Sequence, residues 1–238
     1  MQKRTLVEVI LGCTETHAER TAFRWIEGGE VQQMSFGDFR TRVDEIAAGL
    51  MTATDAEMGA AVSILANTSL DWIACDAAAL SVGFEPVPVY ATLLPEEVAF
   101  MHSDTGVVLA IVENAEQLEK VRSWQSGFRF MDEDYEAAPI KHIVVMDPEG
   151  IEPADDWESL VDLRARGRDR LEELGPRQDQ AREASPDNVA TYTFTSGTTG
   201  RPKAAVQSHH NLLCAIDSVR TFGIYYNPKV LAGRQFLI

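Results

Sequence analysis

Between Thr191 and Ser208 the chain reads TYTFTSGTTGRPKAAVQS, and no other stretch limits its fold as strongly. Thr195 to Lys203 packs four hydroxyls, two glycines and one lysine into nine residues. Ala190–Phe194, upstream, is rich in β-branched and aromatic residues and predicts a strand; Ala204–Gln207 predicts a second, shorter one. A loop of this composition held between strands suits a polyanion. Glycine lets the backbone approach closely and turn, so that successive N–H groups converge on phosphate oxygens. Ser and Thr hydroxyls add neutral donors, and Lys203 adds a mobile point charge. Ser/Thr/Gly runs are more often flexible linkers. The flanking strands, the stiffening Pro202 and the single terminal lysine argue for a built loop instead. It is not a Walker loop, whose frame needs Gly at 202 and Ser or Thr at 204, where this chain has Pro202 and Ala204.

Charge and cysteine content exclude several functions. Lys plus Arg number 21 against 37 Asp plus Glu, a net charge of −16, which argues against a nucleic-acid partner because phosphate backbones need a basic face. A local positive loop for a nucleotide remains compatible with that balance. The three cysteines, Cys13, Cys75 and Cys214, are too few and too scattered for a disulfide framework, and reduced thiols in the cytoplasm are expected. Near the N-terminus the apolar patch Leu6–Leu11 is short and broken by Glu8, so a helix or strand at a domain edge is expected rather than a signal segment. No run of 18 apolar residues occurs, so no transmembrane segment is expected; peripheral membrane contact stays open.

Along the chain, strand and helix signals alternate. Ala22–Ile26 and Val31–Met34 flank Gly28-Gly29 and predict a hairpin. Ser35 with Asp38 forms a capping-box pattern ahead of a helix whose Phe39, Val43, Ile46, Ala47 and Leu50 share one apolar stripe. Ala61–Ala66 predicts a strand, and Asn67-Thr68-Ser69 caps a helix over 70–81 that Gly83 stops. Pro86–Tyr90, Val107–Val112 and Lys141–Met146 predict buried strands. Pro95 opens one helix between them, and Ala115–Trp124 forms another. The alternation predicts an α/β fold with mainly parallel sheet layers covered by helices.

From Asp147 to Asp187 charge dominates. Arg164, Arg166, Arg168 and Arg170 recur every second residue, which scatters them around a helix, while Asp162–Arg166 and Arg168–Glu172 stand at i,i+4. A solvated helix laced by those pairs is expected. Ser208 is placed to cap a helix carrying Leu212, Leu213 and Ile216. His209 and His210 are read as first-turn surface residues, with no cysteine or carboxylate at ligand spacing. His17, His102 and His142 are assigned no role.

TFTSGTTGRPK resembles the phosphate-binding signature of the adenylate-forming superfamily, which includes acyl-CoA synthetases, luciferases and peptide-synthetase adenylation domains. Ala204 stands where that family usually has Gly. A second stretch, DAAALSVGFEPVPVYATLLPEEVAFMHSDTGVVLAIV from Asp76 to Val112, resembles the superfamily's upstream core, and its PVPVYATLLPEE is similar to the long-chain fatty acyl-CoA synthetase version. The resemblance covers most of 17–215 and fades past Thr221. It implies the N-terminal portion of an adenylate-forming large domain, with 1–185 an N-terminal subdomain and 186–238 the phosphate-loop strand–loop–strand and the start of the next. It implies that Thr195, Ser196, Gly197, Thr198, Thr199, Gly200 and Lys203 bind the ATP phosphates, with Thr195 a contact to Mg²⁺. The implied substrates are ATP, a fatty acid and CoA, joined by a long-chain fatty-acid–CoA ligase through an acyl-adenylate. The family's adenine, second-metal and catalytic-lysine motifs match nothing up to Ile238, so no catalytic residue is expected in this chain and it is expected to be inactive alone. A truncated non-catalytic relative, or a ligase for another carboxylate, are the alternative expectations.

Overall fold

The computed structural model describes residues 4–196 and 200–226. Helix α1 (Leu6–Thr16) leads into hairpin β1 (Thr21–Glu27) and β2 (Glu30–Ser35), then α2 (Phe36–Ala53). Next come β3 (Ala61–Leu65), α3 (Leu70–Ser81), β4 (Glu85–Val89), α4 (Pro95–Thr105), β5 (Leu109–Val112) and α5 (Ala115–Arg122). A small hairpin, β6 (Phe128–Phe130) with β7 (Glu133–Tyr135), precedes β8 (His142–Val145) and β9 (Trp157–Ser159). Helices α6 (Leu160–Arg168) and α7 (Leu171–Arg182), strands β10 (Val189–Ser196) and β11 (Pro202–Ser208), and helix α8 (His209–Tyr226) complete it.

Five strands form one parallel sheet in the order β4-β3-β5-β8-β9. Its two faces follow the period of two that a pleated strand imposes. Val62 and Ile64 of β3, Leu109 and Ile111 of β5 and Val144 of β8 face a core built with α2, α3, α6 and α7. Ala61, Leu65, Ala110, Val112, Ile143 and Val145 face a second core with α4, α5 and Trp124. Both faces are covered, which is why these strands read as continuous apolar runs rather than alternating ones. This is the expected α/β fold. Among the described residues no helix is long and apolar enough to cross a membrane.

Local signals act where the sequence places them. Ser35 Oγ accepts from the Asp38 amide at 3.0 Å while the Asp38 carboxylate accepts from the Ser35 amide at 3.4 Å, closing the capping box. The α2 stripe from Phe39 to Leu50 is buried, each large side chain contributing about 1.5–3 kcal/mol. Ser69 caps α3, and Glu97 accepts from the amide of Leu94 at 2.9 Å, serving the end that Leu94 cannot cap with its own side chain.

Three expectations are corrected. Tyr90 is not part of the buried strand: β4 ends at Val89, and Tyr90 is 75% exposed. The arginine-rich segment is two helices preceded by a sheet strand, β9, and its expected i,i+4 pairs give way to long-range ones. Arg164 and Arg168 both bind Glu45 of α2, at 2.7 and 2.8 Å, and Arg166 binds Glu158 of β9 at 2.5 Å. A buried carboxylate at Glu45 and a half-buried one at Glu158 hold these guanidiniums more strongly than an exposed neighbour on the same helix does. The helices approach closely because Gly49 of α2 faces Gly167 of α6; a side chain on Gly167 would overlap the Glu45 carbonyl oxygen. His209, third, is buried rather than superficial.

Candidate functional site

Strands β10 and β11 form a two-stranded antiparallel ribbon apart from the main sheet. Its base is fixed to β4. The Thr191 hydroxyl donates to the Pro86 carbonyl at 3.1 Å, and the Tyr192 hydroxyl donates to Glu85 at 2.6 Å. Tyr192 and Phe194 also pack against the core shared with α4 and α5. Burial pushes the Glu85 carboxyl up, partly offset by the Tyr192 hydrogen bond, while Tyr192 itself is pushed up to about 12 by burial and by Glu85.

The ribbon pairs Phe194 with Ala204, Thr195 with Lys203 and Ser196 with Pro202. Both strands therefore run into the stretch that sequence reasoning assigned wholly to a loop. Thr195 and Lys203 are exposed and opposite one another, and directly paired residues share a face. Thr195 Oγ1 has a 3.5 Å contact to the Lys203 carbonyl, long for a hydroxyl bond, so the hydroxyl is free to serve another partner. Gly197, Thr198 and Thr199 lie outside the described residues; Ser196 ends β10 before them, and Gly200 follows them two residues ahead of β11. Gly200 has φ +90°. Next to it Arg201 Nη2 lies 2.5 Å from Glu133 Oε1, an ion pair from the signature to the β6–β7 hairpin that sequence reasoning missed. Arg201 holds the Glu133 carboxyl below its usual range, with a further contribution from Tyr135.

Among the described residues no group of three or more His, Cys, Asp or Glu side chains could hold a metal ion. Thr195, the expected Mg²⁺ contact, therefore adjoins no such group among the described residues. Mg²⁺ retains waters and phosphate oxygens readily, so one hydroxyl fits as a supplementary ligand to a phosphate-bound ion and not as a site in itself.

The histidines divide by environment. His209 Nδ1 accepts from the Leu6 amide at 3.3 Å, joining the starts of α8 and α1, and burial pushes its pKa down, which keeps that nitrogen an acceptor. His210 lies 3.5 Å through Nε2 from the sulfur of Cys214, so a cysteine does stand at i+4, contrary to expectation. His142 pairs with Glu158 at 2.6 Å. None of these reaches a described residue of the signature by a hydrogen bond or ion pair.

A doubly covered parallel sheet carrying a separate antiparallel ribbon, with Thr195 and Lys203 paired and exposed near its end, defines an α/β protein. The AMP-binding enzyme family matches residues 13–233, and the chain belongs to that family. The match continues past Thr221, where the resemblance by motif fades. Long chain acyl-CoA synthetase 8 of Arabidopsis thaliana is 26% identical over 206 residues, covering 86% of this chain and 27% of that protein. Crotonobetaine/carnitine–CoA ligase of Salmonella paratyphi A is 28% identical over 227 residues, covering 93% and 38%. The crystal structure of the anthranilate CoA ligase AuaEII in complex with anthranoyl-AMP shares the fold, with a TM-score of 0.71 at 19% identity over 94% of this chain and 38% of that one. The chain thus spans about a quarter to two fifths of the length of these relatives.

Proposed function

We propose that this chain supplies the phosphate-binding part of an AMP-forming acyl-CoA ligase acting on long-chain fatty acids. In this reading, residues 1–185 form the supporting subdomain and 186–238 carry the signature into the next one. One observation carries the proposal: Thr195 and Lys203 lie paired and exposed at the end of a ribbon whose base is pinned to the sheet. Such a ribbon fixes the entry and exit of a donor-rich turn while leaving its tip open to ligand. Lys203 supplies positive charge to the β- and γ-phosphates of ATP, and the hydroxyls of Thr195, Ser196, Thr198 and Thr199 donate to their oxygens. Mg²⁺, when bound with ATP, neutralises phosphate charge. The chain's own contribution is to orient the polyphosphate so that a carboxylate can reach the α-phosphorus. That attack expels pyrophosphate and leaves an acyl-adenylate, from which the CoA thiol takes the acyl group as a thioester with release of AMP.

A second reading keeps the reaction and changes the acid. The crotonobetaine/carnitine–CoA ligase matches at 28% identity, alongside the 26% of the plant long-chain enzyme, so identity does not choose between them. The PVPVYATLLPEE stretch supports the long-chain reading. ATP–pyrophosphate exchange by the product of the whole reading frame separates the two. Palmitate-dependent exchange lost in Lys203→Ala is expected; exchange driven only by crotonobetaine or an aryl acid would overturn the long-chain assignment. Exchange unchanged in Lys203→Ala would overturn the site.

A further inference from the structure

The β6–β7 hairpin touches the signature at two places that its function as a phosphate loop does not require. Glu133 binds Arg201, both partly exposed, at 41% for the arginine and 58% for the glutamate. One residue before Arg201, the space where a Gly200 side chain would begin is taken by Met131: a Cβ there would stand 2.8 Å from Met131 Cε. Met131 is placed by an unusual turn. Phe130 pairs with Glu133, so Met131 and Asp132 form the whole two-residue connection, at φ 48° and 66°. Turns of that kind ordinarily use Asn and Gly, because a side chain at positive φ is strained. The hairpin is held from behind: Phe130 stacks on Phe100 of α4 at 5.0 Å, Tyr135 meets the same ring edge-on at 5.5 Å, and the Tyr135 hydroxyl donates to Glu133 Oε2 at 3.1 Å. A rigid hairpin thus presents one thioether and one carboxylate to the outgoing limb of the signature.

We propose that this hairpin is the seat of that limb, and that Glu133 is a positioning residue which occupies the Arg201 guanidinium in the absence of polyphosphate. A guanidinium fork offers a carboxylate or a phosphate the same planar geometry, and the Nη2 donor that Glu133 holds is drawn away from an incoming phosphate. Arg201 lies two positions from Lys203 and beside Gly200, so an incoming polyphosphate meets an arginine already engaged. Binding must release it. By linkage, the ion pair then opposes polyphosphate binding by the same factor with which polyphosphate weakens the pair. For an exposed pair that factor is about two- to fivefold. The inference rests on the phosphate-binding reading above and deepens it, adding Arg201 as a ligand and Glu133 as its competitor.

Two measurements on the intact chain test it, with inorganic pyrophosphate as the probe. Amide hydrogen exchange without ligand addresses the seat alone. Glu133→Gln, which keeps shape and removes charge, is expected to speed exchange at Gly200 and Arg201 while leaving Phe128–Tyr135 unchanged. No change at Gly200 and Arg201 would overturn the seat, whatever the ligand results. Pyrophosphate titration addresses the competition. Glu133→Gln is expected to bind about two- to fivefold more tightly, Arg201→Gln more weakly than the parent, and the double variant no better than Arg201→Gln. Equal affinity in Glu133→Gln and the parent, with binding still dependent on Lys203, would overturn the competition and leave the site standing. Pyrophosphate binding that survives Lys203→Ala would instead remove the phosphate reading, and with it the competition.

Discussion

The carboxylate of Glu45 on α2 accepts from the guanidinium of Arg164 on α6 at 2.7 Å, across 119 positions of sequence. Arg168 joins the same carboxylate, so one nearly buried acid fastens α6 to the helix on which the sheet rests. Burial raises the Glu45 carboxyl, and the Arg168 and Arg164 hydrogen bonds and charges more than offset it, leaving the pKa lowered.

Glu45→Ala removes the shared acceptor and leaves two guanidiniums facing each other. Its side chain is 7% exposed while Arg164 and Arg168 are 24% and 57% exposed, so solvent reduces the cost below that of a fully buried pair. Urea denaturation is expected to show a loss of about 2–3 kcal/mol for Glu45→Ala, with Arg168→Ala costing under about 1 kcal/mol. An equal cost for both would contradict the ranking by burial.

The contact that lets those side chains meet is the Gly49–Gly167 crossing. Gly167→Ala inserts a methyl group against the Glu45 backbone, which cannot swing aside as a side chain could. The expected cost is about 1–3 kcal/mol or more, despite alanine's better helix propensity. If calorimetry shows Gly167→Ala raising the melting temperature, α6 does not pack as described.

Acid sensitivity has an identifiable source in His102. It is buried, both ring nitrogens lack partners among the described residues, and Trp124 meets its ring edge-on at 5.5 Å. Burial pushes its pKa down to about 3, against about 6.5 in an unfolded chain. The unfolded state therefore takes up a proton first as pH falls. Stability from this group is whole above about pH 6.5 and is lost toward pH 3, by about 1.4 kcal/mol per pH unit. His102→Leu is expected to flatten that slope and to hold or raise stability at pH 7. An unchanged slope would place the acid sensitivity elsewhere.

The fold was legible where the deciding interactions are local or periodic. Ser35 with Asp38, the α2 stripe and the apolar runs of β3, β5 and β8 depend on neighbours within a few residues or on a repeating face. Glu45 with Arg164 depends on an encounter that no window of sequence contains, and Asp162, read as the partner of Arg166, accepts from its own cap Ser159 instead. β9 is three residues long and has no room to show a period. Of the signature, the residue types were legible and the extent of the ribbon was not, because Thr195 and Ser196 read as loop by composition while pairing across to Lys203 and Pro202 holds them in a strand. The Arg201–Glu133 pair joins residues too far apart in sequence for any local rule. His210 and Cys214 were within reach, since i,i+4 spacing is countable.

Thiol labelling should separate the cysteines by environment. Cys75 is buried and its thiol is pushed up by burial and by Asp71, so the reactive thiolate is scarce. Cys13 is exposed and Cys214 partly so. Iodoacetamide followed by mass spectrometry is expected to modify Cys13 and Cys214 and to leave Cys75 intact until the chain unfolds. Early modification of Cys75 would mean that the α3 face opens in the native state.

The last prediction concerns the joint between sheet and signature. Tyr192 donates to Glu85 at 2.6 Å, and burial already raises the Glu85 carboxyl. Tyr192→Phe removes the hydrogen bond that favours the ionised form, so the Glu85 pKa rises further. A carboxyl whose folded pKa lies above its unfolded value binds protons preferentially in the folded state, so its contribution is present at low pH and is lost as pH rises through the folded value. The cost of Tyr192→Phe is therefore expected to be about 1–2 kcal/mol at pH 7 and to shrink as pH falls and Glu85 takes up its proton. Hydrogen exchange should show the loosening at the Thr191–Phe194 end of the ribbon, and pyrophosphate binding should weaken with it, because the paired Thr195 and Lys203 are held in place from that end. A cost independent of pH, with pyrophosphate affinity unchanged, would show that the ribbon is positioned by its apolar packing alone.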